Sequence, residues 1–283
     1  MTLQDLKDVY KTELSAIYDA GEITELFAVF TTELVGLSRK EQRRSLDLIL
    51  TEDQTKALTQ ALSELKSGRP FQQILGKTEF YGIDFIVTED VLVPRPETEE
   101  LLELTIGQIN RIHTTKRTLK ILDIGTGSGI IPIILKKHFP EAKVCAVDFS
   151  QKALEVAQKN AALHNVDINF IHADYLNSEL SDVFEVIISN PPYIGQNEKS
   201  DIAVSVKDFE PEMALFSPTE NALIFYEKIA GDCKKHLAAG GMVFLEINQK
   251  LGAETCGLFE EVLTRAELVK DISGNDRMVW GIK

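Results

Sequence analysis

The feature that most constrains the fold is a change of period near Leu119, after which short apolar runs alternate with amphipathic segments. The apolar runs have the length of strands, and the intervening segments, such as 151–163 and 221–237, have helical spacing. We expect strands at 120–123, 143–147, 168–171, 186–189 and 242–247. Because this alternation is typical of βαβ units, it predicts an α/β fold with a mostly parallel sheet and helices on both faces.

Residues 1–68 carry a different pattern, in which apolar residues recur at helical spacing and helix-capping pairs are frequent. Thr2 is a candidate N-cap, and Ser38 with Glu41 and Thr51 with Gln54 have the spacing of capping boxes. We therefore expect an N-terminal bundle of about four or five short helices.

The rest of the chain divides into two further predicted segments. Residues 69–97 form a linker, in which 78–87 resemble two short strands that turn near Gly82. Residues 98–283 form the α/β domain, which begins with a helix near Thr98 because prolines hold the preceding residues extended.

Composition and charge narrow the classes of function. With 44% hydrophobic and 26% charged residues, the chain resembles an ordinary globular protein. No apolar run approaches the ~20 residues of a membrane span, and the N-terminus lacks a signal peptide, so we expect a cytoplasmic protein without a membrane partner. The three cysteines and five histidines lack ligand spacing, so we expect no metal. A net charge of −14 weighs against direct binding of nucleic acid through its phosphates.

A glycine-rich loop joins the first predicted strand to the next helix. Asp123 precedes it, and the loop itself consists of Gly125, Thr126, Gly127, Ser128 and Gly129. Glycines permit a tight turn and a close approach of the backbone to a ligand beyond the carboxyl end of a strand. Asp148 ends the second strand, where a carboxylate can accept hydrogen bonds from ribose hydroxyls.

Such a loop could take a dinucleotide or S-adenosylmethionine. The carboxylate of Asp123 would repel a pyrophosphate but suits an ammonium group, so the spacing favours the methyl donor. The loop resembles the methionine-binding loop of class I methyltransferases. That resemblance implies that Asp174 and Tyr175, after the third strand, hold the adenine, the carboxylate at its exocyclic amine and the ring against its face.

The fourth predicted strand ends in Asn190-Pro191-Pro192-Tyr193, and the two prolines hold this loop rigid and extended. The motif resembles that of methyltransferases that modify a nitrogen conjugated to a planar system. The side-chain oxygen of Asn190 and the carbonyl of Pro191 can accept hydrogen bonds from such an NH₂ group. They would orient the nitrogen beside the methyl donor and stabilise its developing positive charge, while Tyr193 packs on the planar face.

Adenine-N6 and glutamine-N5 methyltransferases share this motif. Other stretches, of which Val93-Pro94-Arg95-Pro96-Glu97-Thr98-Glu99 is the most specific, resemble the peptide chain release factor N5-glutamine methyltransferases from about residue 69 to the C-terminus. The remaining ones are 69–76, 80–82 and Phe209-Glu210-Pro211 with Ala214-Leu215. The alternative, an adenine-N6 methyltransferase acting on DNA or RNA, fits neither this string nor the negative charge.

The resemblance implies a Rossmann-like class I methyltransferase domain that converts S-adenosylmethionine to S-adenosylhomocysteine. The implied protein substrate is a class 1 release factor, methylated on the glutamine of its Gly-Gly-Gln motif. Because one glutamine loop offers little contact surface, we expect the N-terminal bundle to dock the release factor; the alternative is that it only stabilises the catalytic domain. Arg95 and Glu97 would support the site near the methionine end of the cofactor. Two departures put local loop shape in question: Asn248 stands where the family usually has glycine, and Phe216-Ser217-Pro218-Thr219 replaces a glycine-rich turn.

Overall fold

The structure, a computed structural model, describes residues 1–112, 119–198 and 204–283, with the side chains of 204–206 excepted. The described residues form two compact units. The first comprises Met1–Gly76 and the helix Val204–Phe209, and the second comprises the remaining described residues from Lys77 onward. The segment predicted as a linker, 69–97, therefore contributes to both units.

The first unit contains short helices that begin at the capping residues. The helices of its N-terminal part are α1 (Leu3–Leu14), α2 (Ala20–Val35), α3 (Arg39–Arg44), α4 (Glu52–Lys66) and α5 (Phe71–Leu75). Thr2, Ser38 and Thr51 each form a complete capping box, which confirms the predicted helix starts. The buried apolar faces of α1, α2 and α4 form one core, in which the Tyr10 and Phe27 rings meet edge to face.

The second unit combines a hairpin with a large sheet and its helices. Up to the third parallel strand the elements are β1 (Lys77–Phe80), β2 (Ile83–Ile86), α6 (Pro96–Ile112), β3 (Lys120–Ile124), α7 (Ile130–His138), β4 (Lys143–Asp148), α8 (Gln151–Leu163) and β5 (Asn169–His172). Then follow β6 (Phe184–Ser189), α9 (Val204–Phe209, part of the first unit), α10 (Glu212–Leu215), α11 (Ile224–His236), β7 (Leu237–Glu246), α12 (Gly252–Glu260), β8 (Arg265–Lys270) and β9 (Asp276–Ile282). Within the described ranges, no helix combines the length and the apolar character needed to cross a membrane.

The sheet has seven strands in the order β5-β4-β3-β6-β7-β9-β8. The first five in this order are parallel, whereas β9 runs antiparallel to both of its neighbours. The prediction of a mostly parallel sheet is therefore confirmed. From β3 the chain winds outward to β5 and then returns to β6 on the other side of β3, so the strand order reverses between β3 and β6. At such a switch point the loops that leave the strands diverge and open a crevice.

Side chains of the strands alternate between two helical layers, as the pleat requires. In β6, Val186 and Ile188 pack in the cluster with α6 and α7, while Ile187 packs in the opposite cluster with α11 and α12. Phe80 and Phe85 of the hairpin belong to the first of these clusters. The hairpin is thus part of the core of the second unit.

Candidate active site

The loops that follow β3 and β6 border one cavity of about 940 Å³ at the switch point of the sheet. Several predicted site residues line it, namely Gly125, Gly127, Asp148, Asp174, Tyr175, Asn190 and Pro192. Others do not line it: Arg95, Glu97, Asp123, Thr126, Ser128, Gly129, Pro191 and Tyr193. The structure therefore brings the predicted cofactor and substrate motifs to a single cavity, with some of their residues supporting its wall.

The glycine loop adopts a backbone conformation that residues with a side chain rarely adopt. Gly125, Gly127 and Gly129 have φ angles of 75°, 54° and 81°, in the left-handed region that favours glycine. A Cβ atom on Gly129 would also lie 2.9 Å from the Cβ of Ala157 on α8. The last glycine thus allows α7 to start in close contact with α8.

Asp148 holds the glycine loop from the end of β4. Its carboxylate accepts hydrogen bonds from the backbone N–H groups of Gly127 and Ser150, both at 2.8 Å. Burial raises the pKa of this carboxyl, and the N–H donors oppose that effect by stabilising its charge. The remaining lone pairs of the Asp148 carboxylate, which lies on the cavity wall, can accept hydrogen bonds donated by ligand hydroxyl groups.

Asp123 occupies a different environment beneath the same loop. Its side chain is 0% exposed, and among the described residues neither carboxylate oxygen has a hydrogen bond of good geometry, although the nearby Thr126 side chain lowers its pKa against the effect of burial. Burial, together with the negative charge of Asp148, raises the pKa of Asp123 to about 7. The carboxyl group therefore supports the loop from below and does not reach the cavity surface.

Asp174 and Tyr175 border the cavity beyond β5. Asp174 closes its own turn by accepting hydrogen bonds from the backbone of Leu176 and the side chain of Asn177. The buried hydroxyl of Tyr175 donates to Asp232 at 2.8 Å, and burial raises the pKa of this phenol well above its ordinary value. Both residues are thus firmly placed on the wall.

Two residues near the glycine loop and Asp148 were not predicted from the sequence, namely Phe149 and Asn160. Phe149 lines the cavity with 59% of its surface exposed, which is unusual for a large aromatic side chain. Asn160 is fully buried on α8, where its amide donates to the carbonyl of Ser128 and bonds both backbone groups of Ile86. An asparagine on the apolar face of a predicted helix was the available signal for this bridge.

The Asn190 loop is held by side chains from distant parts of the chain. The side-chain N–H of Asn190 donates to the Thr98 hydroxyl at 3.2 Å, and that hydroxyl donates to Glu246 at 2.7 Å. The Tyr193 hydroxyl donates to the other oxygen of Glu246 at 3.2 Å. Burial raises the pKa of the Glu246 carboxyl, whereas the donors and the positive charge of Arg277 favour its ionised form. Thr98 and Glu246 were not predicted as site residues.

Arg95 forms an ion pair with the buried Glu210 at 2.6 Å, and Glu210 also accepts the backbone N–H of Val93. Arg95 therefore joins the two most distinctive sequence strings, 93–99 and 209–211. Glu97 is half-buried, and its negative charge acts on Tyr193 and Glu246.

Asn248, the departure from glycine, has an ordinary φ of −66°. Its amide donates to the carbonyl of Tyr193 at 3.2 Å and to Glu198 at 2.9 Å. Glycine is therefore not required here, and asparagine adds a tether to the Asn190 loop. Among the described residues, no cluster of His, Cys, Asp or Glu could hold a metal ion.

The fold is that of known methyltransferases. The family model named Methyltransferase small domain matches residues 108–207. The hMettl16 catalytic domain superposes with a TM-score of 0.55 at 17% identity, covering 76% of this chain and 81% of that one. A methyltransferase from Pyrococcus furiosus superposes with a TM-score of 0.50 at 16% identity, covering 82% and 99%. At these identities the structures establish the shared fold.

Whole-chain relatives identify the family. The release factor glutamine methyltransferase of Flavobacterium psychrophilum is 43% identical over 99% of this chain and 98% of its own length. That of Bacteroides thetaiotaomicron is 35% identical over 95% and 96%. This chain belongs to the release factor glutamine methyltransferase family.

Proposed function

We propose that this enzyme transfers a methyl group from S-adenosylmethionine to the side-chain amide nitrogen (N5) of the glutamine in the Gly-Gly-Gln motif of class 1 release factors. One observation carries the proposal: the Asn190 loop borders the same cavity as the glycine loop and Asp148. A planar amide held at Asn190 would therefore lie beside a nucleoside held by the glycine loop. The products are the methylated glutamine and S-adenosylhomocysteine.

The cavity fits this methyl donor. Asp148 and Asp174 place carboxylates on the wall for hydroxyl and amine groups, and the exposed Phe149 ring offers an apolar surface for a flat base. The same carboxylates disfavour the pyrophosphate of a dinucleotide. When bound, S-adenosylmethionine supplies an electrophilic methyl group on a sulfonium, whose C–S bond breaks as the N–C bond forms and leaves a thioether.

Asn190 and Pro191 act on the substrate amide. An amide nitrogen is a poor nucleophile because its lone pair is delocalised into the carbonyl group. The Asn190 side-chain oxygen and the Pro191 carbonyl accept hydrogen bonds from the amide protons and stabilise the positive charge that develops on nitrogen. The nitrogen then loses one proton to water. This transfer requires neither a metal nor a covalent enzyme intermediate.

The Tyr193 hydroxyl donates to Glu246, and its ring packs against the apolar cluster with α11 and α12. The ring therefore does not line the cavity, where we expected it to pack on the planar face of the substrate. Pro192 lies on the wall itself and supplies a rigid apolar surface for the substrate. Arg95 and Glu97 support the loops around the site. We place the reaction in the cytoplasm, since the substrate is a translation factor.

The activity test uses purified protein with isotope-labelled S-adenosylmethionine and, in separate reactions, a class 1 release factor, DNA and RNA. We expect label only in the release factor, on the Gly-Gly-Gln glutamine, located by mass spectrometry of the digested product. A release factor with that glutamine replaced by alanine is the matched control and should take up no label. Label in adenine of DNA or RNA would support the adenine-N6 alternative and contradict the proposal.

We further propose that the N-terminal bundle docks the release factor, because one exposed glutamine loop offers little contact surface. A chain starting at Lys77 should keep its cofactor affinity but show a raised KM for the intact release factor. A short Gly-Gly-Gln peptide serves as the control substrate, which both chains should methylate equally well. An unchanged KM for the intact release factor would show that the bundle does not dock it.

A further inference from the structure

The two ends of the Asn190 side-chain amide have different surroundings. Its nitrogen lies 3.2 Å from the Thr98 hydroxyl, and its oxygen has no partner within the described residues. An asparagine amide can rotate by half a turn and exchange these two ends with little change of shape. The proposed chemistry needs the oxygen to face the substrate, so something must prevent this exchange.

Thr98 has one hydroxyl proton, and its hydrogen bond to Glu246 uses it. Both oxygens of Glu246 act as acceptors, one for Thr98 and the other for Tyr193. The Thr98 oxygen can therefore only accept from Asn190. Only the NH₂ end of the Asn190 amide can face it, since the opposite orientation would place lone pairs against lone pairs.

The burial of Thr98 and Glu246 strengthens the preference for this orientation of the Asn190 amide. Thr98 is 2% and Glu246 is 1% exposed, so water cannot replace a lost partner at either group. Flipping the amide would lose the Asn190–Thr98 hydrogen bond, typically about 0.5–1.5 kcal/mol, and would set two oxygens 3.2 Å apart with no proton between them. The residues come from three distant places, with 92 positions between Thr98 and Asn190 and 148 between Thr98 and Glu246.

We infer that Thr98 and Glu246 are positioning residues for methyl transfer: their directed hydrogen bonds fix the Asn190 amide with its oxygen toward the substrate. This inference rests on the proposed function for its catalytic purpose and adds two residues that touch neither substrate nor cofactor. Tyr193 joins the same carboxylate, so the two ends of the Asn190–Tyr193 loop share one buried anchor.

The test compares Thr98→Val, which keeps the shape but removes the hydroxyl, with Thr98→Ser, which keeps the hydroxyl. Thr98→Val should lower kcat by about tenfold to a hundredfold, the cost typical of a misplaced reacting group, with cofactor affinity nearly unchanged. Thr98→Ser should recover most of that loss. The matched control is Thr105→Val, since Thr105 is a fully buried threonine on the same helix whose hydroxyl bonds only the backbone of Leu101.

A second measurement observes the amide directly and does not depend on activity. The side-chain N–H signals of Asn190, assigned by their disappearance in Asn190→Ala, should include one proton that exchanges slowly with water. Exchange of that proton should become fast in Thr98→Val and in Glu246→Gln, because a neutral amide at 246 no longer enforces one direction. Melting curves of all variants identify any that fail to fold. If Thr98→Val does not fold, Glu246→Gln becomes the deciding variant.

The outcomes separate this inference from the proposed function. If the wild type methylates release factor and Thr98→Val keeps kcat within about threefold, the positioning role is overturned while the function stands. If Thr105→Val lowers kcat as much as Thr98→Val, the effect is one of general packing and the role is again overturned. If the wild type does not methylate release factor, the proposed function fails. Independently of activity, an unchanged exchange rate of the Asn190 side-chain proton in Thr98→Val would overturn the fixed orientation of the amide.

Discussion

The two loops that meet at the switch point are held in place by different means. The glycine loop keeps its shape through backbone conformations with positive φ and through hydrogen bonds with residues of the neighbouring strand and helix, Asp148 and Asn160. The Asn190 loop is extended by its prolines but is anchored by side chains of α6 and of the segment after β7, including Thr98 and Asn248.

This difference separates binding from turnover. The glycine loop presents backbone groups to a ligand, so substitutions there should act on cofactor affinity and on stability. The Asn190 loop presents one directed side chain, so substitutions there and among its anchors should act on kcat. The predictions below test this division, beginning with the largest expected effect.

Asn190→Ala should lower kcat by about 10²–10³, the usual cost of losing one preorganised group at a developing charge. Cofactor affinity should change much less, because the cofactor contacts lie mainly on the other loop. Steady-state kinetics with release factor and calorimetry with the cofactor measure the two effects. Asn169→Ala, on the exposed start of β5, is the control and should resemble the wild type.

Asn190→Asp sharpens this prediction, since it keeps an acceptor oxygen but removes the amide donor that faces Thr98. Partial activity would show that charge stabilisation dominates, and complete loss would show that the neutral amide is needed for geometry. An Asn190→Ala enzyme with kcat within about threefold of the wild type would contradict the assigned role.

Asp123 should make stability depend on pH, because burial raises the pKa of its carboxyl from 3.8 to about 7. Between these values the unfolded chain releases a proton that the folded chain keeps, so stability falls as pH rises, by at most about 1.4 kcal/mol per pH unit. The Asp123→Asn variant should lack this decline. Denaturant unfolding of both proteins from about pH 4 to pH 7 gives the difference. A constant difference would mean that Asp123 is ionised throughout.

Asp148→Ala should weaken cofactor binding by roughly 1.5–3 kcal/mol, the range for a hydrogen bond to a charged group. The variant also loses the acceptor for the Gly127 N–H, so the loop that binds the ligand is less ordered. Calorimetry with S-adenosylmethionine provides the measurement. Asp182→Ala is the control, because Asp182 pairs with Lys120 at the start of β3, at the opposite end of that strand from the glycine loop. Equal affinities for all three proteins would refute the assignment of Asp148.

Asn248→Gly, which introduces the residue usual in the family, should have the smallest effect. The backbone at 248 has an ordinary φ of −66°, so the substitution removes only the side-chain hydrogen bonds of Asn248. Losing the tethers to Tyr193 and Glu198 should cost roughly 1 kcal/mol of stability and lower kcat by less than about tenfold. Thermal unfolding and steady-state kinetics measure both. A larger loss in cofactor affinity than in kcat would break the division between the two loops.

Much of the fold followed from local pattern. The candidate N-cap Thr2 marked the start of α1, and two capping boxes marked the starts of α3 and α4. Period changes marked the five parallel strands to within five residues. The antiparallel pair β8 and β9 was missed. Charged residues interrupt β8 at the sheet edge, and the turn between them, with Gly274 at positive φ, was the unused signal.

The sequence by itself determined the order of elements, the glycine conformations and the chemistry at the strand ends, because these depend on residues close together in the chain. The tertiary structure alone decided which of those residues face the cavity, and it placed Asp123 below the loop and Phe149 on the wall. It also decided the partners of Asn190. Thr98, Asn190 and Glu246 meet only because the strand order sets β6 between β3 and β7, with α6 packed across the sheet. Such contacts depend on the packing of distant elements, which local sequence periodicity does not encode.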